Sequence, residues 1–300
     1  MTIDEIIDGL KNLNLDEQPS NEIEELIKKV GKIGYMLVTF HKGKSIMRAR
    51  PNDEGQRFCH KNELSFKPQE YNKTYQRAST PNQTMFYATS LPDKIEPGEL
   101  DNARIIGVVE AIPWLRDKTS SGYKKITFGR WYVQEDLNLI SIIHKDTFYK
   151  ESNYTRELVD AYNHFINQED QEMIEKSLKF QHFLADEFSK EIKTHTDYLI
   201  SAIFTEIVTK NPNIDGVLYP SVRVLGKGFN VAIKPESCNK IGLYVAGECS
   251  VYKHKDHTVV GNDCIVKLDG KTDNFVFEEI ENHRTECLQQ LGVKTIDELK

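Results

Sequence analysis

The chain has 300 residues, enough for one large domain or two ordinary ones with a substantial buried core. A hydrophobic fraction of 39% and a charged fraction of 28% are those of a globular chain and exclude a disordered one. The net charge of −7 argues against a general nucleic-acid binder, which needs a basic footprint, but a few arginines in a cleft can still attract an anionic small molecule.

Residues 2–12 place Ile3, Ile6, Ile7 and Leu10 at helical spacing, and Ser20-Asn-Glu-Ile-Glu-Glu has capping character before a second helix to about residue 30. Residues 35–40 and 45–50, split by His41-Lys-Gly-Lys44, predict two strands around a turn. The polar stretch 51–82, broken by Pro51, Pro68 and Pro81, reads as a long, partly ordered connection. Residues 85–89 and 103–112 read as strands with Pro92 and Pro97 between them, followed by strands at 126–133 and 137–143.

The texture then becomes helical over roughly 155–210. Leu158, Ala161, Tyr162 and Phe165 repeat at i, i+3, i+4, i+7, as do Phe180, Phe183, Leu184 and Phe188, and then Leu199, Ile200, Ile203, Phe204 and Ile207. Strands resume at 215–219, 231–233, 241–245, 249–252 and 258–260, and residues 285–300 end as a helix. Strands, then helices, then strands predict an α+β fold with a mixed or antiparallel sheet.

Residues 1–8 are acidic and carry no basic-then-apolar leader, and no apolar run reaches bilayer length. The five cysteines are odd in number and form no C-x-x-C pair, so neither a zinc site nor a disulfide framework is expected. The expectation is a cytoplasmic chain with reduced thiols, no metal and no membrane contact. His254-Lys-Asp-His257 reads as a polar hairpin turn, and Gly226-Lys-Gly228 is not a phosphate-binding glycine signature.

Tyr219-Pro-Ser-Val-Arg-Val-Leu-Gly-Lys-Gly-Phe-Asn-Val-Ala-Ile233 is the most informative stretch. It holds Ser221, Arg223 and Asn230 on a turn between two apolar runs, where binding residues tend to sit. An ordinary hairpin facing water is the plainer alternative. Glu110 interrupts the near-continuous apolar run 104–112, so it must pair, accept hydrogen bonds or stand at a pocket wall. Arg48 lies inside an apolar strand pattern, where a buried charge needs a partner, whereas Arg50 reads as solvated and Arg77 follows in Tyr75-Gln-Arg-Ala-Ser79. Guanidinium groups bind phosphates in bidentate fashion and stay charged in a partly dry cleft.

Arginine, glutamate and serine in that order resemble the RES domain family, over about residues 45–260. The pieces are Ile46-Met-Arg-Ala-Arg50, Gln76-Arg-Ala-Ser79, Met85-Phe-Tyr-Ala-Thr89, Glu110, Phe128-Gly-Arg-Trp131 and Tyr219-Pro-Ser-Val-Arg223 with Asn230-Val-Ala-Ile233. Arg48 fits the first family arginine, with Ala49 where an aromatic often follows. Arg77 fits the second, Tyr87 the tyrosine, Glu110 the glutamate, Ser221 the serine and Asn230 a polar residue after it. Glu96 and Glu99 are rival positions for the glutamate, because a longer insert follows Tyr87 and residues 103–112 read as a strand where the family has a helix.

The resemblance implies a sheet core like that of ADP-ribosyltransferases, with N-terminal helices at 1–34, a catalytic domain at 35–270 that contains the helical block, and a C-terminal tail at 271–300. It also implies an NAD⁺-consuming toxin that breaks the nicotinamide–ribose bond by hydrolysis or phosphorolysis, with a separate antitoxin protein as partner. A protein ADP-ribosyltransferase and a non-catalytic nucleotide sensor are the alternatives. On this reading Arg48, Arg77, Glu110 and Ser221 are catalytic. Arg48, Arg77, Tyr87, Ser221 and Asn230 bind NAD⁺, with the arginines on the pyrophosphate and Tyr87 stacked on a base. Oligomeric state and the acceptor stay open.

Overall fold

A computed structural model describes residues 1–299 apart from Glu96, Gly98 and Asn282. Thr2 and Glu5 form a capping box that starts α1 (Ile3–Lys11), and α2 (Ser20–Val30) follows. Then come β1 (Leu37–Phe40), β2 (Ser45–Pro51), β3 (Phe86–Ser90), α3 (Ala103–Ala111), β4 (Gly122–Val133) and β5 (Leu137–Ser141). The helical block comprises α4 (Asp146–Glu151), α5 (Asn153–Ile166), α6 (Gln171–Ser189) and α7 (Leu199–Thr209). The chain finishes with β6 (Gly216–Pro220), β7 (Phe229–Ile233), β8 (Ile241–His254), β9 (His257–Lys267), β10 (Glu278–Glu279) and α8 (Arg284–Gln290). The fold is mixed α+β. Among the described residues no helix is long and apolar enough to cross a membrane.

The ten strands form one mixed sheet in the order β1-β5-β6-β7-β3-β2-β4-β8-β9-β10. Its one parallel pair, β5 with β6, is the pair bridged by the helical block, and a parallel pair requires such a crossover. The two strands expected to flank a turn do not pair with each other: β1 pairs with β5 and β2 with β4. Their connection is instead fastened to the β4–β5 corner, with Gly43 N donating to Val133 O and Lys42 N to Asp136 Oδ1. Residues 241–245 and 249–252, which read as two strands, are one long strand, β8. His254 and His257 close the β8–β9 hairpin as expected.

Strand alternation gives the sheet two apolar faces. Phe86, Trp131, Leu218, Val231 and Ile233 are buried on one, where they cluster with Tyr154 of α5 and with Phe275 and Phe277. On the other, α1, α2, α6 and α7 cover β5, β6 and β7, with Phe180, Phe183 and Phe188 in the core. Further along that face α3 packs on β2, β4 and β8 through Val108, Ile112, Met47, Ile126 and Phe128. Between these two covering layers lies β3.

Residues 103–112 are a helix, which corrects the strand reading. Asn102 caps it by accepting from Arg104 N at 3.0 Å. Ile106, Gly107 and Val108 form its buried face, and Glu110 lies three residues on from Gly107. A Cβ on Gly107 would stand 3.0 Å from the Cβ of Ala49, so this glycine and this alanine set how closely α3 approaches β2.

His144, after β5, is 4% exposed, with both ring nitrogens lacking a hydrogen-bond partner. Its ring packs edge-on against Tyr162 at 4.5 Å and lies 5.5 Å from His182. Burial first, and His182 second, pushes its pKa down to about 4 from the ordinary 6.5. Because the unfolded chain binds this proton more readily, the stabilising contribution is complete above the ordinary value and is lost as pH falls through it. Urea unfolding should therefore show about 2 kcal/mol less stability near pH 5 than near pH 7, and His144→Leu should flatten that slope. An unchanged slope in the variant would assign the pH dependence to other groups.

Candidate functional site

A cavity of about 610 Å³ opens over β3, between α3 and the α6–α7 layer. Arg48, Arg77, Tyr87, Glu110 and Asn230 all line it. Ser221 is fully buried just behind, and its Oγ donates to Glu110 Oε1 at 2.7 Å. Asn230 Nδ2 donates to the same oxygen at 2.9 Å. The six residues singled out in the sequence thus belong to one site. Of the two rival glutamates, Glu99 is engaged elsewhere, accepting from Asn153 N at the start of α5 at 2.8 Å, and Glu96 lies outside the described residues.

Each side chain is placed by its element. In the sheet register Asn230 stands beside Thr89 on one neighbouring strand and Tyr219 on the other, and all three line the cavity. Ser221 follows β6, and its carbonyl accepts from Gly226 N at 2.9 Å while its amide donates to Gly228 O at 2.8 Å. A Cβ on Gly228 would stand 2.3 Å from Ile106 Cδ1, so this glycine lets the Ser221 turn pack directly against α3. Thr89 Oγ1 fastens the helix start by donating to Ala103 O at 3.0 Å.

Arg77 occupies a tight turn in which Gln76 N donates to Ser79 O and Ser79 N to Gln76 O. The Tyr87 hydroxyl holds this turn, accepting from Ala78 N at 3.0 Å and bonding Ser79 Oγ at 2.8 Å. Burial keeps that phenol neutral, with its pKa pushed up to about 12. Tyr87, expected as a stacking platform, lines the cavity and anchors the Arg77 turn through its hydroxyl. Arg77 donates to Phe188 O, and its guanidinium lies 5.0 Å from the Tyr198 ring, which also lines the cavity.

Arg48 has a different setting. β2 and β3 pair only at Met47 and Thr89 and then diverge. Arg48 Nη1 spans that split to Tyr87 O at 2.6 Å, and its guanidinium lies 5.2 Å from the Phe86 ring. Burial, and then Arg50, pushes its pKa down to about 10. Arg48 contributes a charge at the floor of the cavity, with one donor already committed to the sheet. Arg50, expected to be solvated, is half-buried, donating to Glu63 O with its guanidinium 4.8 Å from the Phe58 ring.

Two more arginines line the same cavity, Arg116 and Arg223. Arg116 follows α3 and donates to Val109 O at 3.2 Å and Glu110 O at 3.1 Å, a favourable place for a cation at a helix C-terminus. Lys253 anchors the turn after it through Asp117 O at 2.6 Å and Ser120 O at 2.8 Å. Arg223 was visible two residues from Ser221, but Arg116 is short-range noise in the sequence, signalled only by Pro113-Trp-Leu-Arg116 after the apolar run. Tyr198 had no signal beyond its place before an apolar helix.

Electrostatically, four arginines face one glutamate in a chain of net charge −7. Among the described residues none of the four is ion-paired; the arginine ion pairs belong to Arg57. Such a cleft concentrates anions and can hold phosphates in bidentate fashion. Among the described residues no three His, Cys, Asp or Glu side chains group to hold a metal. No protein-family model matches the chain, and no curated protein or solved structure matches it.

Ser221→Ala should cost about 1–2 kcal/mol of folding stability near pH 7, since it removes a donor to a carboxylate that the cleft keeps partly hydrated. Urea unfolding reads the loss, and a change below a few tenths of a kcal/mol would mean that the bond carries no net energy.

Proposed function

We propose that this cleft binds NAD⁺ and cleaves its nicotinamide–ribose bond. The observation that carries the reading is the state of Glu110. Ser221 and Asn230 fix one carboxylate oxygen, and the group lies in a cavity ringed by arginines. The ordered resemblance to the RES domain family supports it, because its arginine, glutamate and serine positions converge here. The helical placement of Glu110 removes one departure from that pattern.

The chemistry follows from the residue types. As the bond from ribose C1′ to the pyridinium nitrogen breaks, its electron pair leaves with nicotinamide and positive charge develops on the ribose. A carboxylate already oriented by two donors stabilises that charge without reorganising during the reaction. Water, or a phosphate oxygen, then bonds to C1′ and releases its proton to solvent. Arg77, with its aromatic support from Tyr198, holds the pyrophosphate, and the Arg48 charge below adds to the attraction. Ser221, with no exposed surface, acts through Glu110 as a positioning residue. In the cell the reading implies growth inhibition by NAD⁺ loss, restrained by a separate antitoxin.

Purified protein incubated with NAD⁺ should release nicotinamide. Glu110→Gln should lower kcat roughly a hundredfold or more while preserving the fold, and Arg77→Ala should act mainly by raising KM, about tenfold. Label from NAD⁺ ending on protein would redirect the reading to ADP-ribosyl transfer. A ligand-induced rise in Tm with no turnover would reduce the site to a sensor, and full activity in both variants would refute the site.

A further inference from the structure

Arg116 and Arg223 exceed what a dinucleotide's pyrophosphate requires. NAD⁺ carries two phosphate charges and one compensating pyridinium charge, and Arg77 with Arg48 already face them across the cavity. The remaining pair stands on the opposite wall, where α3 abuts the turn Val222–Val224. Arg116 commits Nε and Nη2 to the carbonyls that end α3, leaving Nη1 for a ligand. Arg223 lies on the cleft lining two residues beyond Ser221, and no carboxylate ion-pairs with either arginine among the described residues.

Two guanidinium groups lining one cavity without an ion-paired partner repel each other. Arg116 shows the cost: burial first, and Arg223 next, lowers its proton affinity. A protein that needed only a positive wall could relieve this with a nearby acid. Here the one carboxylate of the cleft, Glu110, favours the Arg116 charge less than burial and Arg223 disfavour it, and one of its oxygens is given to Ser221 and Asn230. An incoming dianion would accept from Arg116 Nη1 and from the Arg223 guanidinium and remove the repulsion.

We propose that Arg116 and Arg223 form a second phosphate subsite, separate from the pyrophosphate grip, which takes a phosphate dianion beside Glu110. It deepens the NAD⁺ reading and rests on it for the identity of the main ligand. Two sources share this chemistry: a third phosphate carried on the dinucleotide, as in NADP⁺, and free inorganic phosphate acting as the acceptor for the ribose. In the second case a phosphate oxygen bonds to C1′ as nicotinamide departs with the electron pair, giving a ribose 1-phosphate ester and no net oxidation.

The test uses the full chain. Inorganic phosphate, titrated at constant ionic strength, should raise Tm saturably, and Arg223→Ala should weaken apparent affinity about tenfold, the effect of losing one charge-assisted contact. Arg223→Lys should recover part of it, and Arg57→Ala, outside the cleft, should leave it unchanged. Nicotinamide release then separates the sources. Faster turnover of NADP⁺ than of NAD⁺, abolished by Arg223→Ala, identifies the attached phosphate. Acceleration of NAD⁺ cleavage by inorganic phosphate, abolished by the same change, identifies the free one. If phosphate, NADP⁺ and NAD⁺ all behave alike in wild type and Arg223→Ala, the subsite is overturned. If neither dinucleotide is cleaved but the Arg223-dependent phosphate effect on Tm persists, the NAD⁺ reading falls and the subsite stands.

Discussion

Glu110 Oε1 accepts from Ser221 Oγ and Asn230 Nδ2 at once, and the arrangement of the cleft depends on that shared oxygen. The three residues are far apart in sequence and belong to α3, the turn after β6, and β7. For the bonds to form, α3 must approach both β2 and the Ser221 turn more closely than ordinary side chains allow. Gly107 against Ala49 and Gly228 against Ile106 provide that approach. A larger side chain at position 49 would meet α3 at this distance. Ala49 is thus matched to the placement of Glu110.

A buried or half-buried carboxylate is tolerated when its oxygens are satisfied. The same two donors that make Glu110 tolerable also fix its direction, so its second oxygen is the one left for a ligand. Around it the charge is arranged in opposition to the whole chain: acidic overall, cationic in the cleft. Three of the four cleft arginines are held by something other than a carboxylate. Arg48 rests on Tyr87 O, Arg77 on Phe188 O and Tyr198, and Arg116 on the last carbonyls of α3. Carbonyl and aromatic partners orient a guanidinium without neutralising it, so the positive field survives for a ligand.

Much of this was legible in the sequence, for identifiable reasons. Strands such as β3, β4 and β6 were readable from apolar runs bounded by turn residues, and the helical block from its 3.6-residue spacing. The run 104–112 misled because an apolar stretch of nine residues fits a buried strand as well as a short helix, and period alone does not separate them. Asn102, a good N-cap, was the signal that would have decided it. Strand pairing was invisible: nothing near residues 37–50 announces that β1 and β2 join different parts of the sheet. The convergence of the site residues was anticipated, but the contacts that each one makes were not. The Tyr87 hydroxyl is taken by Ala78 and Ser79 and one Arg48 donor by Tyr87 O across the β2–β3 split, and such partners decide what each side chain has left to offer.

The central claim is that one oriented carboxylate faces the breaking bond while guanidinium groups hold the phosphates. Crystals grown with a non-cleavable NAD⁺ analogue test it most directly. The account predicts the nicotinamide-bearing ribose within hydrogen-bonding distance of Glu110 and the pyrophosphate on Arg77. A ligand bound away from β3, or one lying in this cleft with its adenine end at Glu110, would contradict it.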